Sequence, residues 1–408
     1  MKAEILLRAV SRVEELGRIS DSPDYLQRTF LSKANRAAGE CVMGWMRELG
    51  MEVAHDKGGT VRGILPGKNP DAKAVLLGSH IDTVINAGKY DGALGVIAAI
   101  AAVEELLADG VELPFPVHVL GFSDEEGVRF QSTYLGSAGV VGGLDAGLLA
   151  ARDKQGNTLA EVLESEGWNE GAEVFFYDES SSSCYVELHI EQGRVLEDAN
   201  EAAAVVSGIH GQARLRVVIE GLADHAGTTP MDLRRDALAG AAECMLKAED
   251  LARGAEDLVA TVGMLSVKPG ASNAIPQTAD FTLDVRHPDD TFLNDSLYQM
   301  RNDFEDICKG RGLGLKWKPV QVSGAVACDA GVIAELLECT RAVTGGARLM
   351  GSGAGHDGVM ISRAMPVGMV FIRCRAGLSH HPEEYVEDDD IKAGIEVLVE
   401  FLKRRDHG

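Results

Sequence analysis

The chain has 408 residues, 45% of them hydrophobic and 25% charged, with a formal net charge of −24 at pH 7. This length exceeds one ordinary domain, so two domains are expected, with the composition of a globular protein. The acidic excess argues against nucleic acid or an anionic membrane surface as partner, because both would repel it.

The opening residues, Met1 to Arg8, lack the apolar core of an export signal, and no apolar run reaches membrane-spanning length. Ile5, Leu6, Val10, Val13 and Leu16 fall at helical spacing and predict a first helix over 1–17. A second is expected over 37–49, stopped by Gly50. Short strands around Val53 and over 61–64 precede a Pro-Gly-Lys-Asn-Pro turn. The apolar strand 73–79 then delivers His80 and Asp82 at its end, and Asp91 opens a Gly-Ala-Leu-Gly segment leading into a helix over 94–107. Strand 116–122 ends in a second acidic cluster, Ser123 to Glu126. A glycine-rich stretch (136–147), a polar helix near 157–166 and a serine loop (180–183) follow, and strand 184–193 delivers His189, Glu191 and Gln192. This alternation predicts an α/β domain with a mostly parallel sheet, helices on both faces, and ligands beyond the strand carboxyl ends.

From about Ile209 the pattern changes. Residues 213–220 alternate with period two; a helix over 233–252, strands near 258–265 and 279–286, a helix over 291–308 and a strand near 313–318 follow. This β-α-β-β-α-β order predicts an inserted α+β, ferredoxin-like domain over 208–324, with the first domain made of 1–207 and 325–408. A helix over 330–343, a glycine-rich segment holding His356, a strand over 367–372 and a last helix over 389–403 complete the first domain. The seven cysteines, widely spaced and without a Cys-x-x-Cys, read as buried thiols in a reducing compartment, so a cytoplasmic location is expected.

His80, Asp91, Glu126, His189 and His380 are the candidate metal ligands. Taken singly, each is more often a hydrogen-bonded loop residue. Together they stand at or just beyond strand ends on one sheet edge, and histidines mixed with carboxylates suit Zn or Mn. Two acidic strand ends suggest two ions. Glu125 and Glu126 are adjacent and point apart, so one can ligate while the other accepts a proton from water. Asp82 can orient His80 through its other ring nitrogen, or position the neighbourhood of Glu125. In the insert, His225 sits in a small-residue turn, where a histidine is mostly structural but can also stabilise an oxyanion. Asn273 and Arg286 flank strands. An arginine fork suits a substrate carboxylate, or an ordinary salt bridge with Asp284 or Asp289.

The segments GSHIDTV (78–84), YDGALGV (90–96), FSDEEGVRF (122–130), LHIEQG (188–193), HAGTTPM (225–231), SNAIP (272–276), SGAGHDG (352–358) and GLSHHPEE (377–384) span nearly the whole chain in order. In them the chain resembles the M20-type metallopeptidase and amidase superfamily, in its carbamoyl-hydrolysing branch of allantoate amidohydrolases, N-carbamoyl-L-amino-acid hydrolases and β-ureidopropionases. The resemblance implies two divalent ions per subunit, Mn or Zn. His80, Asp91 and His189 would hold one, and Asp91, Glu126 and His380 the other, with Asp91 bridging. His381 follows His380, and which of them ligates stays open. Glu125 would be the general base and Asp82 its supporting carboxylate. The insert would be a dimerisation and lid domain of a homodimer, His225 reaching the active site of the partner subunit. Asn273 and Arg286 would grip a substrate carboxylate, and Gln192 and His356 would be further substrate-side groups.

GQARLRV (211–217), in which Gln212 would contact the ureido substrate, looks closest to the allantoate form, as do the stretches 128–137 and 370–380. The implied reaction is hydrolysis of allantoate to ureidoglycine, ammonia and carbon dioxide. N-Carbamoyl-L-amino acids and ureidoglycolate remain as alternative substrates. Outside that class stands a non-catalytic, metal-holding binding protein, against which the intact Glu125-Glu126 pair argues.

Overall fold

Helix Ala93–Ala108 is apolar around nearly its whole circumference, so it has no face suited to water and is buried along most of its length. In the computed structural model, which describes residues 1–405, this helix packs on the strands Ala74–His80 and Ser182–Ile190. Its other side is covered by helices Ala3–Gly17 and Asp388–Arg404. The sheet runs in the order Glu52–His55, Val61–Leu65, Val117–Phe122, Ala74–His80, Ser182–Ile190, Val367–Ile372, Ala203–Ile209, with Arg348–Ser352 paired to the last of these. Its four central strands are parallel, while Glu52–His55 with Val61–Leu65, Val61–Leu65 with Val117–Phe122, and Val367–Ile372 with Ala203–Ile209 pair antiparallel.

Both sheet faces are buried, which is why the central strands read as continuous apolar runs. Val75, Leu77, Val117, Val119, Val186 and Leu188 point to the core around the central helix. Leu76, Leu120, Phe122 and Tyr185 point to a second core with Val140, Phe175, Tyr177 and Ile361. Side chains alternate along a strand, so His80 continues the face of Leu76, and His189 that of Tyr185.

The chain divides into two units, Met1–Ser207 with the chain from Cys328 onward, and Gly208–Ala327. The second carries an entirely antiparallel sheet in the order Gly314–Ser323, Gly211–Glu220, Thr278–His287, Val259–Thr261, with Leu265–Lys268 also against Thr278–His287. Leu215, Val217, Ile219, Phe281 and Leu283 face helices Ala237–Arg253 and Asp290–Gly310 through Ala241, Cys244 and Phe304. Gln212, Arg214, Arg216, Asp280, Asp284 and Arg286 alternate with them and take the opposite, polar face.

Several elements differ from the sequence expectation. The second helix starts at Lys33, because the Ser32 side chain accepts the Asn35 N–H at 3.1 Å and caps it. The serine run is only half loop: Asp178 accepts the N–H groups of Ser180 and Ser181, while Ser182 already pairs with Ala74. The expected single strand over 258–265 is two, Val259–Thr261 and Leu265–Lys268, broken where the Met264 N–H bonds the Thr282 hydroxyl at 3.1 Å. The glycine-rich stretch holds short helices Leu135–Val140 and Ala146–Leu149. Among the described residues no helix is long and apolar enough to cross a membrane.

Candidate active site

Three parallel strands bring their carboxyl ends to one edge of the first sheet. His80 ends Ala74–His80, His189 is next to last in Ser182–Ile190, and Glu125 and Glu126 follow Val117–Phe122. Asp91 comes from the loop before the central helix, in a turn that depends on Gly92. Gly92 has φ +64°, and a Cβ there would lie 2.3 Å from His80 Nε2, so a side chain would displace the imidazole.

Asp91 is the meeting point. Its Oδ1 lies 3.1 Å from His189 Nε2 and 3.6 Å from His80 Nε2. Its Oδ2 lies 3.2 Å from His380 Nε2, which is 3.3 Å from Glu126 Oε1. Among the described residues, donor atoms within 4.8 Å of one another are offered by four groups: His80, Asp91 and His189; Asp91, Glu126 and His380; His80, Glu125 and Glu126; and Glu187, His189 and His356. Two ligands held tetrahedrally at about 2.1 Å from one ion stand about 3.4 Å apart, so these atoms have the spacing and the chemistry to take one. His381 stays outside, its exposed ring accepting the Glu383 N–H at 3.2 Å. His380 and Gln192 have φ +56° and +57°, backbone states uncommon for such side chains and held where loops converge.

Asp82, Asp91 and Glu125 are buried. Burial pushes the Glu125 carboxyl well above its usual range, with His80 partly offsetting it. Burial resists ionising Asp91 as well, yet His189, His380 and His80 together hold it well below the carboxylate range. On His80 burial opposes the charge, but Asp82 and Asp91 hold it well above an ordinary histidine. The Asp91 and Glu126 carboxylates push His380 up to about 10. So much carboxylate in a largely buried site is what an added cation stabilises.

The remaining candidates in the first unit lie alongside. Gln192 Nε2 donates to Asp91 Oδ2 (3.1 Å) and Ser379 Oγ (2.9 Å), while its Oε1 is buried with no protein partner. The His356 ring stands 4.5 Å from that of His189, its Nε2 2.8 Å from Ser352 Oγ. Burial, then the His189 charge, holds His356 well below the usual histidine value. In the second unit, Gln212 and Arg286 face each other in register and share Asp284: Gln212 Nε2 at 2.7 Å, Arg286 Nε at 2.8 Å and Nη2 at 3.0 Å. His225 and Asn273 occupy an exposed loop pair, joined by the Ala226 N–H to the Asn273 carbonyl at 3.0 Å.

Sequence reasoning misses three residues here. Ser379 Oγ donates to Asp91 Oδ2 at 2.9 Å, and Glu384 accepts the Tyr90 and Asp91 N–H groups at 2.7 and 2.9 Å. The buried Glu187 accepts from Ser79 Oγ at 2.8 Å. Ser379 and Glu384 share a segment with His380, but Pro-Glu-Glu reads as surface charge. Glu187 carries a better signal, two residues before His189 on the same strand face.

A family model, peptidase family M20/M25/M40, matches residues 76–404. The chain is 40% identical to allantoate deiminase of Arabidopsis thaliana, over 97% of this chain and 81% of that one. It is 37% identical to N-carbamoyl-L-amino-acid amidohydrolase of Pseudomonas sp. (strain NS671), over 96% of each. Its fold is similar to that of the solved amidase of the hydantoinase/carbamoylase family from Burkholderia multivorans, at TM-score 0.90, 30% identity and 97% coverage of both chains. With histidines and carboxylates gathered at the ends of parallel strands and likeness running along the full chain, this protein belongs to peptidase family M20/M25/M40.

Proposed function

We propose that the protein is a metal-dependent amidohydrolase cleaving a linear ureido (N-carbamoyl) C–N bond, with allantoate as substrate and ureidoglycine, ammonia and carbon dioxide as products. The observation that carries this reading is Glu125, a buried carboxyl within ligand distance of His80 and Glu126 yet outside both groups that share Asp91. His80, Asp91 and His189 would hold one divalent ion, and Asp91, Glu126 and His380 a second. Such ions, Mn or Zn, supply Lewis acidity, polarising a carbonyl and acidifying water.

Glu125 takes a proton from the water that attacks the ureido carbonyl and returns it to the leaving nitrogen. Its carboxyl is buried beside His80 and Glu126, within reach of a water held between them, which is the placement a proton shuttle needs. The unit Gly208–Ala327 serves as dimerisation and lid domain of a homodimer, and its His225 donates to the oxyanion in the partner subunit's site, a contact of a kind worth about 3–4 kcal/mol. Asn273 and Arg286 hold the substrate carboxylate. Gln212, His356 and the unpartnered Gln192 Oε1 meet the ureido groups.

Gln212 in GQARLRV, with the higher identity to an allantoate deiminase, favours allantoate. The full-length likeness to an N-carbamoyl-L-amino-acid amidohydrolase supports the second reading. Ammonia release from allantoate, ureidoglycolate and N-carbamoyl-L-amino acids, after loading with Mn or Zn, decides between them. Allantoate is expected to lead in kcat/KM; a carbamoyl amino acid in first place would move the substrate. No release from any of them by the loaded protein would remove the enzyme reading.

A further inference from the structure

One loop from the far end of the chain reaches Asp91 three times. Ser379 Oγ bonds Asp91 Oδ2, His380 Nε2 lies 3.2 Å from the same oxygen, and Glu384 Oε1 accepts the backbone N–H of Tyr90 (2.7 Å) and of Asp91 itself (2.9 Å). The bonded residues stand 288 to 294 positions apart, so no local turn preference supplies the contacts. Tyr90 and Asp91 lie outside any strand or helix, and their amides have no ladder partner of their own. A single buried carboxylate oxygen takes both. Its approach is built around Gly88, where a Cβ would lie 2.4 Å from Glu384 Cβ and Cδ.

We infer that Glu384 is a positioning residue for the metal centre. By holding the Tyr90 and Asp91 amides through one oxygen, it fixes where the Asp91 carboxylate stands between the His80–His189 side and the His380 side, and so sets the affinity for the ions. It acts through Asp91, and the inference rests on the reading of Asp91 as their shared ligand.

Two substitutions separate placement of the acceptor from charge. Glu384→Gln keeps an oxygen at the same reach and removes the charge, whereas Glu384→Asp keeps the charge and withdraws the oxygen by one methylene. Each full-length variant, freed of metal by chelation and shown by circular dichroism to be folded, is titrated calorimetrically with Mn2+ alone. Glu384→Asp should weaken Mn2+ binding by about tenfold or more, as loss of a group that orients a ligand does, with Glu384→Gln within about threefold of wild type. Wild-type affinity in Glu384→Asp, or equal weakening in Glu384→Gln, would overturn the inference. Should Glu384→Asp fail to fold, the glutamine variant still decides, since a tenfold loss there contradicts the acceptor role. A wild-type protein that binds no Mn2+ would remove the metal reading and the inference with it.

Discussion

The carboxylate of Asp82 accepts the backbone N–H of Glu125 at 2.9 Å through Oδ1 and that of Glu126 at 3.2 Å through Oδ2. The same Oδ1 stands 3.3 Å from His80 Nδ1. One buried side chain thus aligns an imidazole on one strand end with a carboxyl pair on the next. Asp82→Ala leaves the Glu125 and Glu126 N–H groups without their acceptor and is expected to lower kcat about 10–100-fold. Glu125→Gln should lower kcat further, about 100–10,000-fold, with metal content unchanged. Ammonia release and metal analysis on the same samples check both. A near-normal rate in Glu125→Gln would rule out the proton shuttle.

His380 and His381 are neighbours with different surroundings, one at Asp91 and Glu126, the other in solvent. His380→Ala should reduce bound metal per subunit after gel filtration, and His381→Ala should leave it at the wild-type value. The reverse pattern would exchange the two residues.

If His225 serves the other subunit of a dimer, mixing inactive His225→Ala protein with inactive Glu125→Gln protein restores one intact site per mixed dimer. About a quarter of wild-type activity is then expected after random exchange of equal amounts, because half of the dimers are mixed and each of those has one of its two sites intact. Mixtures that exchange subunits and stay inactive would confine His225 to its own chain.

Acid sensitivity has a separate source in His118, whose Nδ1 lies 2.8 Å from the Tyr177 hydroxyl. Burial, then the Arg62 charge, lowers its pKa to about 4. Unfolded, it titrates near about 6.5, so between these values the unfolded chain binds more protons. The contribution is therefore intact above the unfolded value and is lost as pH falls from there toward about 4. His118→Gln keeps a polar partner for Tyr177 without titrating, so its Tm should fall less steeply with acid than that of wild type. Parallel Tm-versus-pH curves would exclude this role.

Much of the site is legible because its parts end apolar runs. Val75 to Leu77 and Val119 to Phe122 announce central strands, and the acidic and histidine residues after them stand where side chains leave a sheet. The margins are harder. Ala203–Ile209 and Arg348–Ser352 are marginal strands whose identity comes from a neighbour, and Ser182 is a strand residue because it pairs with Ala74. Glu384 looks like surface charge in Pro-Glu-Glu, and only its bonds to Tyr90 and Asp91 give it an interior role.

Sequence by itself determined which residue types stand at which strand ends, since the alternation of side chains and the length of apolar runs are properties of consecutive residues. Tertiary structure alone decided that Asp91 is met by His80, His189 and His380, that His381 stays outside, and that Gln212 and Arg286 share Asp284. These depend on sheet register and on loops that close over hundreds of residues, and neither is encoded within the reach of a local pattern.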